Sequence, residues 1–447
     1  MVRLIRSPWT YTILGLVGYY LILFGLLSLP EDLSEIATVN PLRTLLGGLT
    51  TGLITAQALV FTITLVAAQL NARYTHRMAS RVLNWPTALY MGLFIGSSIY
   101  AAVVLALLSR RPENFALPLP GWLVLHPVTL ALALAGTCLL LLIPYLWSFR
   151  NRLDPERMAR EEGRRAKISV SRDPQREPGE IASLDNIVMS AFGFRDYDTF
   201  NRGLTELSDV GLEAWRQSQN SLGESILRRI AFIGVATISD PRAPVQVIEV
   251  LEGAGAALNA DPLPEAARQT AVMMSEIGEA ATGQDRIALV RRVAEGLSNL
   301  GELAAQSSTI TLAEEAAYSL GYLGIVAARR GQEDSTRYVG IMLRRLASRA
   351  VELNLELASR QAMTSLWSLG AAAWKFAPGC ADVLVQEMEV LERLAGPERI
   401  DATYSATPQG PELEQFRIYY LKEVGREAPE SDTHPAPGQT SNSGTLE

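Results

Sequence analysis

The sequence predicts an all-α chain in two parts, four helices that cross a membrane followed by a cytoplasmic domain of helical hairpins. Three observations carry this. Four apolar runs lie near the N-terminus, the charge changes sign after them, and glycines recur 44 to 46 residues apart in the remainder. Averaged over 447 residues, 48% hydrophobic and 19% charged composition hides the contrast. Residues 1–150 carry nine Arg against Glu31, Asp32, Glu35 and Glu113, yet the whole chain has net charge −7, so the remainder is strongly acidic.

The runs Trp9 to Leu29, Thr44 to Leu70, Thr87 to Leu108 and Trp122 to Trp147 contain no Asp, Glu, Lys or Arg. Each reaches the roughly 20 residues that cross a hydrocarbon core. The first run is longer than the apolar core of a signal peptide and is followed by LPEDLSEIATVN rather than a small-residue cleavage site, so it reads as an uncleaved span. Orientation follows from the bases, which concentrate on the cytoplasmic side of short loops. Arg3 and Arg6, then Arg73, Arg77 and Arg81, then Arg150 through Lys167 lie on one side, against Arg43, Arg110 and Arg111 on the other. The expectation is a multi-pass protein of the plasma (inner) membrane with both termini cytoplasmic. Its parts are a transmembrane domain at 1–150, a linker at 151–180, a helical domain at 181–422 and a disordered Pro-, Ser- and Gly-rich tail at 423–447.

The second run continues as TTGLITAQALVFTITLVAAQLNARYTHR from Thr50 to Arg77, apolar but dotted with Thr, Gln and Asn. At about 100° per residue, Thr51, Thr55, Thr62 and Gln69 fall within about 40° of one another. Thr50, Gln57, Thr64 and Asn71 form a second row at seven-residue spacing. Lipid cannot satisfy an amide near mid-membrane, so Gln57 is expected to face protein or water. In one reading both rows pack helices together, with Gly48-x-x-x-Gly52 here and Gly92-x-x-x-Gly96 on the third run letting backbones approach. In the other, one row packs while its neighbour lines a hydrated path. The seven-residue row also suits self-association about an axis, with Gln57 setting register as a buried Asn does in a coiled coil.

VFTITLVAAQLNARYTHRMASRVL followed by LYMGLFIGSSIYAAVVLALL resembles the signature region of the predicted membrane-protein family catalogued as domain of unknown function 2254. ATISDPRAPVQVIEVL resembles that family's LSPGINDPFTA-type segment, with Ser239 standing where Asn is expected and Arg242 to Pro244 departing from the pattern. The resemblance covers about residues 10 to 260. It implies this membrane architecture and no particular activity.

Between the second and third runs, RYTHRMASRVLNW reads as a basic amphipathic segment at the interface. Arg73, Arg77 and Arg81 are its candidate headgroup contacts, Met78, Val82 and Trp85 share its apolar face, and His76 is read as a surface residue. Asn151 to Glu180 lacks apolar periodicity and reads as a solvated basic stem that helps to orient the chain. A contact with anionic lipid is the alternative.

From Ile181 to Leu394 the chain is rich in Ala, Leu and Glu, which favours helix. Gly234, Gly278, Gly324 and Gly370 each close a similar apolar helix, LRRIAFIG, AVMMSEIG, AYSLGYLG and MTSLWSLG, and each is followed by a turn and a second amphipathic helix. Such a period suits stacked hairpins of the HEAT or armadillo kind, with an irregular helical bundle as the alternative. Asp240-Pro241 and Asp261-Pro262 look like helix starts, in which Asp caps and Pro fits the first turn. PELEQFRIYYLKEV suggests a last helix packing Phe416, Tyr419 and Tyr420 on the repeats or on the membrane surface.

Chemistry is nearly absent. Cys138 and Cys380 are isolated, the three His are far apart, and no phosphate loop, zinc helix or nucleophile elbow is present. Asp196-x-Asp198 reads as a helix cap. No enzyme is expected, and neither metal, cofactor nor nucleic acid is expected as a ligand. The reading is an oligomeric, channel-like membrane protein in which the polar second span lines a path and the cytoplasmic helices gate it. Its partners would be membrane lipids and further copies of the chain. The alternative is a membrane-anchored scaffold that recruits a cytoplasmic protein partner through its helical repeats.

Overall fold

The computed structural model describes residues 39–74, 85–110, 127–172 and 179–426. Among them the chain forms 16 α-helices and one short 3-10 turn, so the all-α expectation holds. Contacts divide the chain into two compact units, Met1–Met158 and Ala159–Glu447.

The first unit contains α1 (Val39–Tyr74), α2 (Trp85–Arg110) and α3 (Pro127–Leu153), each packed against the other two. Leu46, Leu53 and Val60 recur every seventh residue of α1 and meet Tyr90, Phe94, Ala101 and Val104 of α2 and Ala131, Ala135 and Cys138 of α3. Alanines at the contacts keep the backbones close, which suits helices packed in lipid. Arg43–Val66 and Tyr90–Leu107 are long and apolar enough to cross a membrane, whereas α3 carries the shorter stretch Leu130–Leu142. The described residues therefore hold two candidate spans rather than the four expected. The first, 9–29, lies outside them, as do residues 122–126 of the fourth, and what is described of the fourth falls short of about 20 apolar residues. Most of the expected interfacial segment, residues 75–84, also lies outside them, as do residues 427–447 of the expected tail, whereas its first residues are ordered, Glu423 ending a helix and Arg426 pairing with Glu392 and Asp401.

The second unit is a repeat-like pile of helices. It comprises α4 (Pro155–Arg172), whose first turn belongs to the other unit, α5 (Gly179–Gly193), α6 (Tyr197–Arg216), α7 (Asn220–Ala236), α8 (Ala243–Ala260), α9 (Pro264–Gly283), α10 (Ile287–Gln306), α11 (Ile310–Arg329) and α12 (Glu333–Glu352). α13 (Glu356–Phe376), α14 (Ala381–Ala395), α15 (Pro397–Ala406) and α16 (Pro411–Glu423) complete it. Helices α9 to α13 start at residues 264, 287, 310, 333 and 356, so the unit of the repeat is one helix and one turn, half the period expected from glycines alone. Neighbours in sequence alternate between two rows. α5, α7, α9, α11, α13 and α16 follow one another in one, and α4, α6, α8, α10, α12 and α14 in the other.

The turns repeat because their chemistry does. Asp285, Ser308, Gly331 and Asn354 adopt φ of 53°, 58°, 69° and 55°, the left-handed conformation that ends a helix. The next residue's N–H then reaches back to the carbonyls of Ala281, Ala304, Ala327 and Ala350, at 2.8 to 3.0 Å. Backbone carbonyls that a helix end would leave open are thereby satisfied.

The marker glycines lie inside their helices, five residues before the end of α9 and α11, rather than closing them as expected. Their position is set by packing. A Cβ on Gly234 would lie 2.7 Å from Ile277, on Gly278 2.9 Å from Leu323, and on Gly324 2.8 Å from Leu369. Each intruder is the residue just before the next marker glycine, so every Ile/Leu-Gly pair serves as knob for one neighbour and hole for the other. Gly370 receives the Phe416 ring, whose edge would overlap a Cβ there. The opposite row repeats the device, with Leu300 over Gly255 and Leu346 over Gly301. α16 closes the pile as expected, with Phe416 and Tyr420 packed edge-on against Trp367 and Tyr419 against Trp374.

Two local expectations are corrected. Asp261 is the C-cap of α8, its carboxylate taken by Arg216 at 2.6 Å, while Pro264 occupies the first turn of α9. Within the expected solvated stem, 151–180, the described part 155–172 is not solvated on all sides, and residues 173–178 lie outside the described residues. Pro155 to Arg172 form α4, with Ala159, Glu162, Gly163, Ala166 and Val170 buried. Asp154 starts it by accepting the Glu156 N–H at 3.1 Å. Glu206 of α6 sits where a Gly163 side chain would be, Lys167 reaches Asp209 at 2.7 Å, and Gln219 donates to the Val170 carbonyl at 2.8 Å.

Candidate functional site

The polar surface of α1 is the strongest candidate, and the fold separates its two rows. Thr50 and Thr64 are buried, and Gln57 is half-buried between them. These positions alternate with Leu46, Leu53 and Val60 at steps of four and three, the spacing of a coiled-coil seam. The seven-residue row, expected to serve self-association, is thus largely spent on packing inside the chain, because its spacing matches that of the apolar residues beside it. Asn71, at its end, lies in α1.

Around this row runs a buried polar seam. Thr64 donates to the Val60 carbonyl at 2.7 Å and shares a 2.6 Å hydrogen bond with the Tyr145 hydroxyl of α3. The Tyr145 ring stacks on Tyr90 of α2 at 4.5 Å, and the Tyr90 hydroxyl donates to the Cys138 carbonyl at 3.2 Å. Ser97 lies 3.2 Å from the Cys138 sulfur. In a medium without water, each such pair replaces an unsatisfied polar group. Sequence reading gave Tyr90, Tyr145, Ser97 and Cys138 no part in this seam because they lie on different helices and follow no common spacing.

The other row faces outward. Thr51, Thr55, Thr62 and Gln69 are exposed, and the three hydroxyls donate back to the carbonyls of Gly47, Thr51 and Ala58 at 2.8 to 2.9 Å. Self-satisfied hydroxyls are compatible with lipid, protein or water. Gln57 is different, since its amide has no hydrogen-bond partner among the described residues. It sits near the middle of Arg43–Val66.

Gly48 and Gly52, the candidate packing pair on α1, line an open groove with Thr44, Leu45, Leu49, Leu53 and Leu139, and a Cβ on either would meet nothing within 4 Å among the described residues. Gly92 and Gly96 of α2 are exposed in the same way. Of the candidate headgroup contacts, Arg73 lies in the last turn of α1, while Arg77 and Arg81 lie outside the described residues.

In the helical unit, the connection 237–242 between α7 and α8 is longer than the three-residue turns of the repeats. Asp240 accepts the N–H groups of Arg242 and Ala243 at 2.8 and 2.9 Å and the Tyr197 hydroxyl at 2.8 Å. Burial works against its charge, but these donors hold the carboxyl below its usual range. Asp196 caps α6 as expected by accepting from Thr199. Cys380 is buried, which pushes its thiol up to about 11, far from a reactive nucleophile. Among the described residues no group of His, Cys, Asp and Glu is placed to hold a metal ion.

Among the described residues, two apolar helices of spanning length around a polar seam suit a membrane protein. Residues 5–187 match the model of the family described as predicted membrane protein (DUF2254), to which the chain is similar over that segment. The match ends before ATISDPRAPVQVIEVL, so it does not extend to the second resemblance noted in the sequence. No curated protein matches. A solved "circular tandem repeat protein with novel repeat topology and enhanced subunit contact surfaces" is similar at 14% identity over 86% of this chain and 90% of its own, with a TM-score of 0.33. At that score the likeness carries no argument.

Proposed function

We propose that the protein is a non-enzymatic, oligomeric, multi-pass membrane protein of the plasma membrane, with both termini cytoplasmic. Gln57, half-buried at the edge of the inward row, and the outward row beside it line a permeation path between subunits, and the helical repeats act as its regulator. One observation carries the reading: Gln57, near mid-span, presents an amide that no described group satisfies. An amide left unpaired in hydrocarbon costs several kcal/mol, so water, another chain or a segment outside the described residues has to reach it, and the path reading takes water. Thr51, Thr55 and Thr62 extend the polar surface along the adjacent outward face.

The test is ion flux from liposomes holding the full-length protein. Gln57→Leu should abolish flux with assembled mass unchanged. Undiminished flux in that variant would sink the path. The scaffold alternative draws its support from Phe232 of α7 and Tyr318 of α11, more than half exposed in the same row, where a soluble protein partner could seat.

A further inference from the structure

We infer that the outward face of α4 is a docking surface for anionic phospholipid headgroups of the membrane that holds the apolar helices. The inference rests on the membrane reading but not on the permeation path.

The sequence of α4 is basic, and the fold decides where those bases point. Ala159, Glu162, Gly163, Ala166 and Val170 face the pile, pinned by Lys167 on Asp209 and Gln219 on the Val170 carbonyl. That fixes the rotation of the helix. Arg157, Arg160 and Arg164, at i, i+3 and i+7, are exposed on the opposite face, continued by Ile168 and Arg172. A row of arginines on one exposed helical face near a span is the composition that attracts anionic headgroups.

Position supplies the second argument. α4 begins two residues after Leu153, where α3 ends, so its first turns lie within reach of the bilayer surface by chain length alone. The charge is also local. The chain as a whole carries −7, so a basic face here opposes the general repulsion between an acidic domain and an anionic membrane. Arg164 pairs with Glu161 at 2.9 Å, but both side chains are at least 40% exposed. Exposed pairs of this kind are worth little and exchange readily for a phosphate. Arg157 and Arg172 have no ion-pair partner among the described residues.

The test uses the full-length chain in nanodiscs of phosphatidylcholine with phosphatidylglycerol rising to about 30%, at a surface charge like that of natural membranes. Ser171, exposed beside this face, is changed to Cys and carries a fluorophore, and quenching by a headgroup-linked quencher is read. Cys138 and Cys380 are both buried. Quenching should rise with phosphatidylglycerol and fall in about 0.5 M salt, where screening acts within a few ångströms. Arg157→Gln/Arg160→Gln/Arg164→Gln should raise the phosphatidylglycerol fraction at half-maximal quenching by about fivefold or more, since each base near the surface contributes roughly that factor. Arg228→Gln/Arg393→Gln, exposed charges elsewhere on the pile, should leave it unchanged. Quenching that ignores phosphatidylglycerol, survives the triple change, or falls equally in the control variant overturns the inference. Inorganic phosphate that abolishes the effect at unchanged ionic strength would assign the face to a free anion instead, and also overturns it.

Discussion

The two units use glycine in opposite ways. In the helical pile, Gly234, Gly278, Gly324 and Gly370 are each filled by a side chain of the next helix in the row, so close that a Cβ would clash. In the membrane unit, Gly48, Gly52, Gly92 and Gly96 meet nothing within 4 Å among the described residues. The pile completes its own packing. The membrane helices use alanines at their own contacts and leave these four glycines open, and Gln57 repeats that message in polar form.

The largest test of this contrast is Gly370→Ala. Phe416 is fully buried, hemmed in by Trp367, and its rigid ring cannot retreat as a Leu methyl can. Overpacking at such a site costs about 3 kcal/mol, and thermal unfolding of the helical unit should shift accordingly. Gly234→Ala, opposed by the flexible tip of Ile277, should cost less. Equal losses at the two sites would mean that the ring is not the limiting contact.

These packing rules explain what was legible in the sequence. The Ile/Leu-Gly pairs stood out because each pair carries both knob and hole, so the register of the pile could be read even though glycines were misplaced at helix ends. The single-helix period escaped notice because its mark is the turn residue, which is Asp285, Ser308, Gly331 or Asn354 and so varies in kind while keeping φ near 60°. α4 was misread for a different reason. Its inward face is built from Ala159, Glu162, Gly163 and Ala166, small or charged residues that give no apolar signal although all are buried. On α1 the spacing of both polar rows was visible; the inward one follows Leu46, Leu53 and Val60, but its partner Tyr145, 81 residues away from Thr64, was not legible.

A smaller effect should separate glue from path on α1. Thr64→Val keeps the shape of the side chain and removes the hydroxyl that Tyr145 shares. The loss should be about 1 kcal/mol, read from unfolding of the full-length protein in detergent. Combining it with Tyr145→Phe should show a coupling near 0.6 kcal/mol, the usual size of such bonds in membranes. Additive losses would remove the seam from the account. The same change made at Thr55, whose hydroxyl returns to its own helix at 2.9 Å, should leave stability nearly untouched.

The smallest expected change in stability is the most informative about assembly. Gly52→Ala places a methyl group in an open groove, so the fold of one chain should lose less than about 0.5 kcal/mol and should gain helix propensity. If a second copy of the chain approaches along Gly48 and Gly52, that methyl group separates the backbones, and the assembled mass in detergent should fall while the unfolding temperature holds. If stability falls instead, the face is filled from within the chain by a segment outside the described residues. If neither moves, the groove faces lipid, and the contrast between filled and open glycines reflects only the solvent in which each unit folds.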